Sequence, residues 1–339
     1  MFDFFKKKPT VDPEVVSAPK TPAGSAMPVP NASDDPIDAS VSGTPAASAA
    51  DPMPEITSMD QVTEKHVLEI LNQIQSGTLR DVVKIITSDE PAAFAGSKLG
   101  GTPYIPGHGR APVDSRNRQL RLLAQLRLSE LPAGSPLSAL SNEGMLQFWV
   151  LDDDIYGLAM DNDYTANDTS RVIYYDSVDE TITEQECAAK YAPWVEDESY
   201  FPFEGEIRIL FQPICKEGIS SCDYTFPDMF ATAWNEQHPK CPITSPFSLP
   251  DRATGCIFEE ENGGYGHKIG GYPAFTQEDP RDITEEFTEY NILLLQIDSQ
   301  ITDEYEIMWG DMGVGNFFIT PKDLERKDFS KVFYTWDCG

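Results

Sequence analysis

The sequence predicts an α+β fold that is mainly β, internally duplicated and preceded by a disordered N-terminal tail. A Lys-x-Gly-Gly-x-Pro element occupies residues 98–103 and returns 170 residues later at 268–273. Between residues 59 and 339, short apolar and alternating segments typical of strands outnumber helical patterns. The first 58 residues show neither pattern. Together these observations predict one domain, residues 59–339, behind a tail.

The duplication extends beyond the glycine element. The apolar run Leu-Leu-Ala-Gln-Leu at residues 122–126 returns as Leu-Leu-Leu-Gln-Ile at residues 293–297. The two blocks therefore keep their spacing over almost thirty residues. We expect repeat one at about residues 90–175 and repeat two at about residues 260–339.

The predicted tail, residues 1–58, is rich in Pro, Ala and Ser. From residue 9 to about residue 55 it contains no aromatic residue and no apolar periodicity. Such a stretch cannot bury enough surface to offset the entropy lost on ordering. Phe2, Phe4 and Phe5 precede three lysines, but this tip is too short for stable membrane anchoring. We therefore expect a disordered tail without a membrane contact.

Two amphipathic helices are predicted before the first repeat. Apolar residues at i, i+3, i+4 and i+7 extend from Val67 to Ile74 and stop at Gly77. This spacing is typical of a helix with one buried face. The same spacing returns from Leu79 to Ile86 and predicts a second helix.

Strands are predicted for most of the remaining chain, with short peripheral helices between them. The strands come from alternating or continuous apolar runs. They are expected at residues 120–128, 145–151, 172–175, 207–211, 292–297, 305–309, 316–319 and 332–336. Helix-start signals, namely a capping box or a Pro in the first turn, occur at residues 183–186, 227 and 320–323.

The formal net charge of −31 is the dominant feature of the composition. Residues 1–60 carry a net charge of −5, which leaves −26 on the rest of the chain. Nucleic acids and anionic membranes bind through clusters of Lys and Arg, which this chain lacks. We therefore expect no nucleic-acid and no membrane partner. The acidic surface serves solubility, or alternatively attracts a specific cationic partner.

The sequence indicates a cytoplasmic protein. It has no run of about 18 apolar residues that could span a membrane, and its first residues lack the charge order of a secretory signal. The six cysteines form no CxxC pair, so we expect free thiols rather than disulfides or a zinc site. We also expect a monomer.

The Lys-x-Gly-Gly-x-Pro element is the first candidate site. Glycine amides beside a lysine suit an anion, because successive N–H groups form a nest. A tight turn is the preferred interpretation, since glycine supplies positive φ and proline directs the exit into a strand. The ligand-binding candidates are Lys98, Gly100, Gly101, Lys268, Gly270 and Gly271, and the structural candidates include Pro103 and Pro273.

Gln125 and Gln296 occupy matching places inside otherwise apolar strands. A buried amide without hydrogen-bond partners costs a few kcal/mol. Most buried side-chain amides find main-chain partners. We expect both glutamines to be structural, each bonded to main chain, with the Gly-Gly turn of its own repeat as one option.

Metal binding and His or Cys catalysis find little support in the sequence. The acidic clusters at residues 152–154 and 161–168 lack the Gly and Glu positions of a calcium loop. Cys241 lies near His238 in sequence, but no nucleophile signature surrounds either residue. His66 is predicted on the surface of the first helix. We expect neither a metal nor another cofactor.

The turn Trp-Gly-Asp-Met-Gly at residues 309–313 is the last candidate. Its Asp311 lies where a chain reversal exposes a carboxylate and backbone amides together. An ordinary Asx turn has the same sequence character, and this is the preferred interpretation. A functional role requires Asp311 to face a cleft shared with Lys268 or Arg281.

Several of these motifs, taken in order, resemble the YwqG-like family of bacterial proteins. They are Ser-Lys-Leu-Gly-Gly-Thr-Pro-Tyr at residues 97–104, Leu-Leu-Ala-Gln-Leu at 122–126, Gly-Met-Leu-Gln-Phe-Trp at 144–149, Lys-Ile-Gly-Gly-Tyr-Pro at 268–273, Trp-Gly-Asp-Met-Gly at 309–313 and the closing residues 331–338. The resemblance covers roughly residues 60–339. It implies a mainly β, duplicated fold in a cytosolic protein, and it transfers no catalytic residue.

These observations favour a noncatalytic binding module whose partner is a protein or a small ligand. Some YwqG-like proteins are encoded near contact-dependent toxin systems, which adds an immunity-like role as one option. The alternative is a hydrolase-like enzyme with Asp311 and other carboxylates in a cleft between the repeats. A binding module should show an exposed apolar patch, whereas an enzyme should show a pocket that holds carboxylates with shifted pKa values.

Overall fold

The computed structural model describes residues 55–160, 163–196, 198–259 and 262–339. Residues 1–54 of the predicted tail and residues 161–162 of the second acidic cluster lie outside the described residues. The helices are α1 (Glu64–Gly77), α2 (Glu184–Ala188), α3 (Phe226–Gln237), α4 (Asp251–Thr254) and α5 (Pro321–Arg326). The strands are β1 (Arg80–Ser88), β2 (Lys98–Gly100), β3 (Arg121–Arg127), β4 (Met145–Val150), β5 (Ser170–Tyr175), β6 (Glu206–Phe211), β7 (Cys215–Glu217), β8 (Lys268–Gly270), β9 (Ile292–Asp298), β10 (Gln300–Ile301), β11 (Glu306–Ile307), β12 (Val314–Ile319) and β13 (Phe333–Asp337).

The described chain is mostly β, as predicted. One antiparallel sheet of eleven strands has the order β13-β12-β9-β8-β1-β6-β2-β3-β4-β5, and β7 also pairs with β1. The central strand β1 pairs with β8 through Val82–Lys84 and with β6 through Ile85–Ser88. Outward from this centre, β8, β9, β12 and β13 follow one another on one side, and β6, β2, β3, β4 and β5 on the other.

The predicted second helix is wrong, because residues 80–88 form strand β1. Helical spacing from Leu79 to Ile86 coexists there with a run of β-branched residues, which lose side-chain freedom in a helix and pack well in a sheet. In the strand, Val83 and Ile85 are buried while Ile86 is 46% exposed. The first helix is confirmed as α1.

The two sides of the sheet share one apolar core. Leu123 and Phe148 from one side belong to the same buried cluster as Leu295 and Phe317 from the other. The rings of Phe148 and Phe317 meet edge to face with centroids 5.0 Å apart. The strands on either side of β1 are therefore held together by side-chain packing as well as by β1 itself.

A second core forms where α1, α3 and α4 pack together. The predicted surface position of His66 is wrong, because its side chain is buried in this region and its Nδ1 accepts a hydrogen bond from the Thr63 N–H at 3.1 Å. Ile56 is also buried here, so packing begins slightly before the predicted domain start at residue 59. Within the described residues, no helix is long and apolar enough to cross a membrane.

The Gly-Gly pair forms a turn with positive φ at both copies. Gly100 and Gly101 have φ of 63° and 70°, and Gly270 and Gly271 have 73° and 70°. The second glycine of each pair donates its N–H to a neighbouring carbonyl, at Gly205 or Asp81. A Cβ on the first glycine would lie 2.5 or 2.6 Å from that same carbonyl oxygen.

We predict that Gly100→Ala lowers the free energy of unfolding by about 3 kcal/mol, because the new Cβ would strike the Gly205 carbonyl at positive φ. Gly205→Ala is the matched control. Gly205 also has a positive φ, 73°, but a Cβ there meets nothing within 4 Å. We expect the control to cost about 1 kcal/mol. Urea unfolding of both variants measures the difference, and equal losses would contradict the steric explanation.

Candidate functional site

Both lysines of the repeated element are buried and paired with glutamates. The Lys98 Nζ lies 2.7 Å from the Glu206 carboxylate, and the Lys268 Nζ donates to both Glu217 oxygens at 2.9 Å. Burial lowers the pKa of Lys268, while Glu217 opposes that shift. Glu206 lies on β6, but Glu217 lies on β7. The two lysines thus have the same kind of partner, but the two glutamates come from different strands.

A row of polar side chains crosses the sheet from Lys98. The register places Lys98 opposite Gln125, and Gln125 opposite Gln147. The two amides hold the main chain of Tyr104, whose N–H donates to the Gln125 Oε1 and whose carbonyl accepts from the Gln147 Nε2, both at 2.8 Å. The Gln125 Nε2 also donates to the carbonyls of Phe94 and Gly96.

A second row crosses the sheet from Lys268. Here Lys268 lies opposite Gln296, and Gln296 lies opposite Asn316. The Ala274 N–H donates to the Gln296 Oε1 at 2.8 Å, and the Ala274 carbonyl accepts from the Asn316 Nδ2 at 2.9 Å. The Gln296 Nε2 donates to the carbonyls of Gly264 and Gly266.

The two rows explain the glutamines that the sequence singles out. Gln125 and Gln296 bond to main chain, as expected for buried amides, although their partners are not the Gly-Gly turns. The residue whose main chain is held by both amides, Tyr104 in one row and Ala274 in the other, lies six positions after the lysine. The amides therefore fix the segment that follows each Gly-Gly turn. Pro103 and Pro273 lie in that segment and are buried.

Asp311 lies on an exposed turn between β11 and β12. Its carbonyl accepts from the Gly339 N–H, and the neighbouring Gly310 N–H donates to the Tyr156 hydroxyl. The two cations suggested for a shared cleft bond to other carboxylates. Lys268 pairs with Glu217, and the buried Arg281 pairs with carboxylates in its own neighbourhood. A functional role for Asp311 stays a prediction.

Among the described residues, four aspartates have raised pKa values, and each accepts hydrogen bonds from main-chain N–H groups. Burial raises the pKa of Asp279, which accepts from the Tyr224 and Arg281 N–H groups. Burial raises the pKa of Asp153, Asp298 and Asp337. Asp153 accepts from the Gly157 N–H, Asp298 from the Gly266 N–H, and Asp337 from two successive N–H groups. These carboxylates therefore fasten loops. Across the described residues, no group of three or more His, Cys, Asp and Glu side chains could hold a metal.

Both ring nitrogens of His267 are likewise engaged in hydrogen bonds within the fold. Its Nδ1 accepts from the Asp298 N–H at 3.0 Å, so the proton is assigned to Nε2, which lies 2.8 Å from the Gln300 Oε1. Burial lowers the pKa of this imidazole. Neither ring nitrogen faces a nucleophile.

An open groove of about 470 Å³ lies beside β6, next to the start of the first repeated element. It is lined by Pro91, Ala93, Gly96, Ser97, Glu130, Arg208, Ile209, Leu210 and Phe211. Leu210 is 41% exposed and lies directly across from the exposed Ile86 of β1. This volume is within the usual range of ligand sites. The groove therefore combines exposed apolar surface with two charged side chains.

One main-chain N–H at the end of β6 faces the groove. The Ile209 N–H donates to the Ser97 carbonyl, and the residues before Ser97 form a turn in which the Gly96 N–H donates to the Ala93 carbonyl. The Gln212 N–H donates to the Lys84 carbonyl, so the Phe211 N–H, one residue earlier, points away from β1. The Phe211 N–H faces the side on which Ile209 meets Ser97, and among the described residues outside the strands no main-chain carbonyl accepts from it.

The comparisons with known proteins identify a family. The sequence profile of a domain of unknown function, DUF1963, matches residues 97–338. The chain belongs to the DUF1963 family. No curated protein matches the chain.

The DUF1963 region contains both Lys-x-Gly-Gly-x-Pro elements, both polar rows and the turn that carries Asp311. It begins at Ser97, which lines the groove. The helix α1 and the central strand β1 precede it. Sequence reasoning missed the groove, because only the paths of β6 and of residues 91–97 in space create it. The one available signal was the alternation in β6 that turns Arg208 and Leu210 outward.

We predict that Lys268→Met lowers the free energy of unfolding by about 3 kcal/mol, because it leaves the mostly buried Glu217 without its cation. The double variant Lys268→Met with Glu217→Met removes both charges, and we expect it to recover most of that loss. Urea unfolding of the two variants measures the comparison. If the double variant is as unstable as the single one, lost packing and not the unpaired carboxylate explains the effect.

Proposed function

We propose that the protein is a noncatalytic binding module that holds an extended segment of a protein partner in the groove beside β6. The observation that carries this proposal is the Phe211 N–H that faces the groove next to the exposed Leu210. An extended peptide can add to a free strand edge through main-chain hydrogen bonds while its side chains contact neighbouring apolar residues. The groove offers both kinds of contact at one place.

The site geometry argues for binding and against catalysis. A catalytic groove would hold carboxylates with shifted pKa values, whereas Asp153, Asp279, Asp298 and Asp337, whose pKa values are raised, do not line the groove. The Glu130 carboxylate, which does line it, accepts a hydrogen bond from the Ser97 N–H at 3.0 Å. The lysines of the repeated element are buried in ion pairs and do not line the groove.

We also propose that the domain is an internal duplication and that it is a YwqG-like member of its family. The matched polar rows support the duplication, since Lys98, Gln125 and Gln147 have the same register as Lys268, Gln296 and Asn316. A cytoplasmic location and an immunity-like use of the binding surface accompany this proposal. Each agrees with the sequence motifs.

We predict that Phe211→Pro weakens binding of the blocked peptide acetyl-Val-Gln-Val-Gln-Val-amide about fivefold more than Phe211→Ala does. Both variants remove the ring, but only proline also removes the N–H that faces the groove. Fivefold is the value of one net hydrogen bond of about 1 kcal/mol. Titration followed by NMR shifts of residues 208–211 measures both affinities.

Thermal unfolding of the two variants checks that each is folded. Equal affinities would show that the peptide does not pair with the β6 main chain. If the native chain binds no extended peptide but shows shifts with small apolar compounds, the groove takes a small ligand and the protein-partner proposal is wrong.

A further inference from the structure

We infer that the segment held in the groove is basic and places a Lys or Arg side chain on Glu130. This inference rests on the proposed function and names the chemistry of its partner. Two charged side chains line the groove, Arg208 and Glu130. Their different surroundings decide which charge is available.

Arg208 is already neutralised. Its Nη1 donates to the carboxylate of Glu90, which lies in the loop after β1. Glu90 is in turn placed by its own N–H, which donates to the Ser88 hydroxyl. Ser88 lies directly opposite Arg208 in the pairing of β1 with β6. The register of the central strands therefore holds this ion pair together, and it adds no net charge to the groove.

Glu130 has no such cation. Its Oε2 accepts from the Ser97 N–H, and no ion pair of Glu130 is present among the described residues. The nearby cation Arg127 donates instead to Glu180 at 2.7 Å. Glu130 lies at the end of a short 3₁₀ turn and is exposed. The groove therefore carries one uncompensated negative charge beside its apolar wall.

The charge of the whole chain favours the same partner. A net charge of −31 attracts cationic segments and repels acidic ones. Long-range attraction raises the rate of encounter, and Glu130 supplies a fixed contact at the groove. An extended peptide with alternating apolar and basic residues satisfies the Phe211 N–H, the Leu210 surface and the Glu130 carboxylate together.

The test compares acetyl-Val-Lys-Val-Lys-Val-amide with its Gln counterpart on the full chain. We expect the Lys peptide to bind about three- to fivefold more tightly at low salt. Glu130→Gln should abolish this preference, because the amide keeps an acceptor for the Ser97 N–H but lacks the charge. The matched control, Glu325→Gln on the exposed face of α5, makes the same change in net charge and should keep the preference.

The outcomes separate this inference from the proposed function. If both peptides bind equally to the native chain, the basic-partner inference is wrong and the peptide-binding proposal stands. A Lys preference that survives in Glu130→Gln and disappears at about 500 mM salt would arise from the general acidic field, which overturns the role of Glu130. If neither peptide causes shifts at residues 208–211, the proposed function itself fails.

Discussion

The structure depends on the burial of two polar rows inside an apolar antiparallel sheet. An ammonium group and two amides in such a place need partners, since an unpaired buried group costs about 1–3 kcal/mol. Among the described residues, the Gln147 Oε1 and the Asn316 Oδ1, at matching places in the two rows, are the amide atoms of the rows without one. The partners are a glutamate for each lysine and one clamped main-chain residue for each amide pair, Tyr104 in one row and Ala274 in the other. The Gly-Gly turns follow from this requirement, because the chain must reverse closely enough to return over its own strand.

The same requirement for partners separates the polar groups of the interior from the groove that we propose as a binding surface. Polar groups that look reactive in the sequence, such as Lys98, Lys268 and His267, are occupied in the fold. What stays available lies outside, at the end of β6 beyond its pairing with β2, beside Leu210 and Glu130. A main-chain N–H that faces a groove beside exposed apolar surface suits recognition by main-chain pairing.

Much of the fold could be predicted from the sequence, because strand patterns and the repeated Lys-x-Gly-Gly-x-Pro element are local signals. Buried glutamines at matching positions also indicated main-chain partners correctly. The glutamates could not be predicted, since Glu206 and Glu217 come from different strands at unrelated spacings from their lysines. The helix predicted for residues 79–86 failed because its apolar spacing fits a helix face while its β-branched residues favour a strand. The groove could not be predicted, because it depends on how residues 91–97 and β6 lie relative to each other in space.

The position of β1 has a consequence for the boundaries of the domain. This strand precedes residue 97, where the DUF1963 region begins, yet it lies between β8 and β6 at the middle of the sheet. A polypeptide trimmed to the family region would therefore lose its central strand and expose the edges of both neighbours. Open edges of this kind pair readily with other molecules. The family boundary thus marks shared sequence, while the sheet of this chain includes a central strand that precedes that boundary.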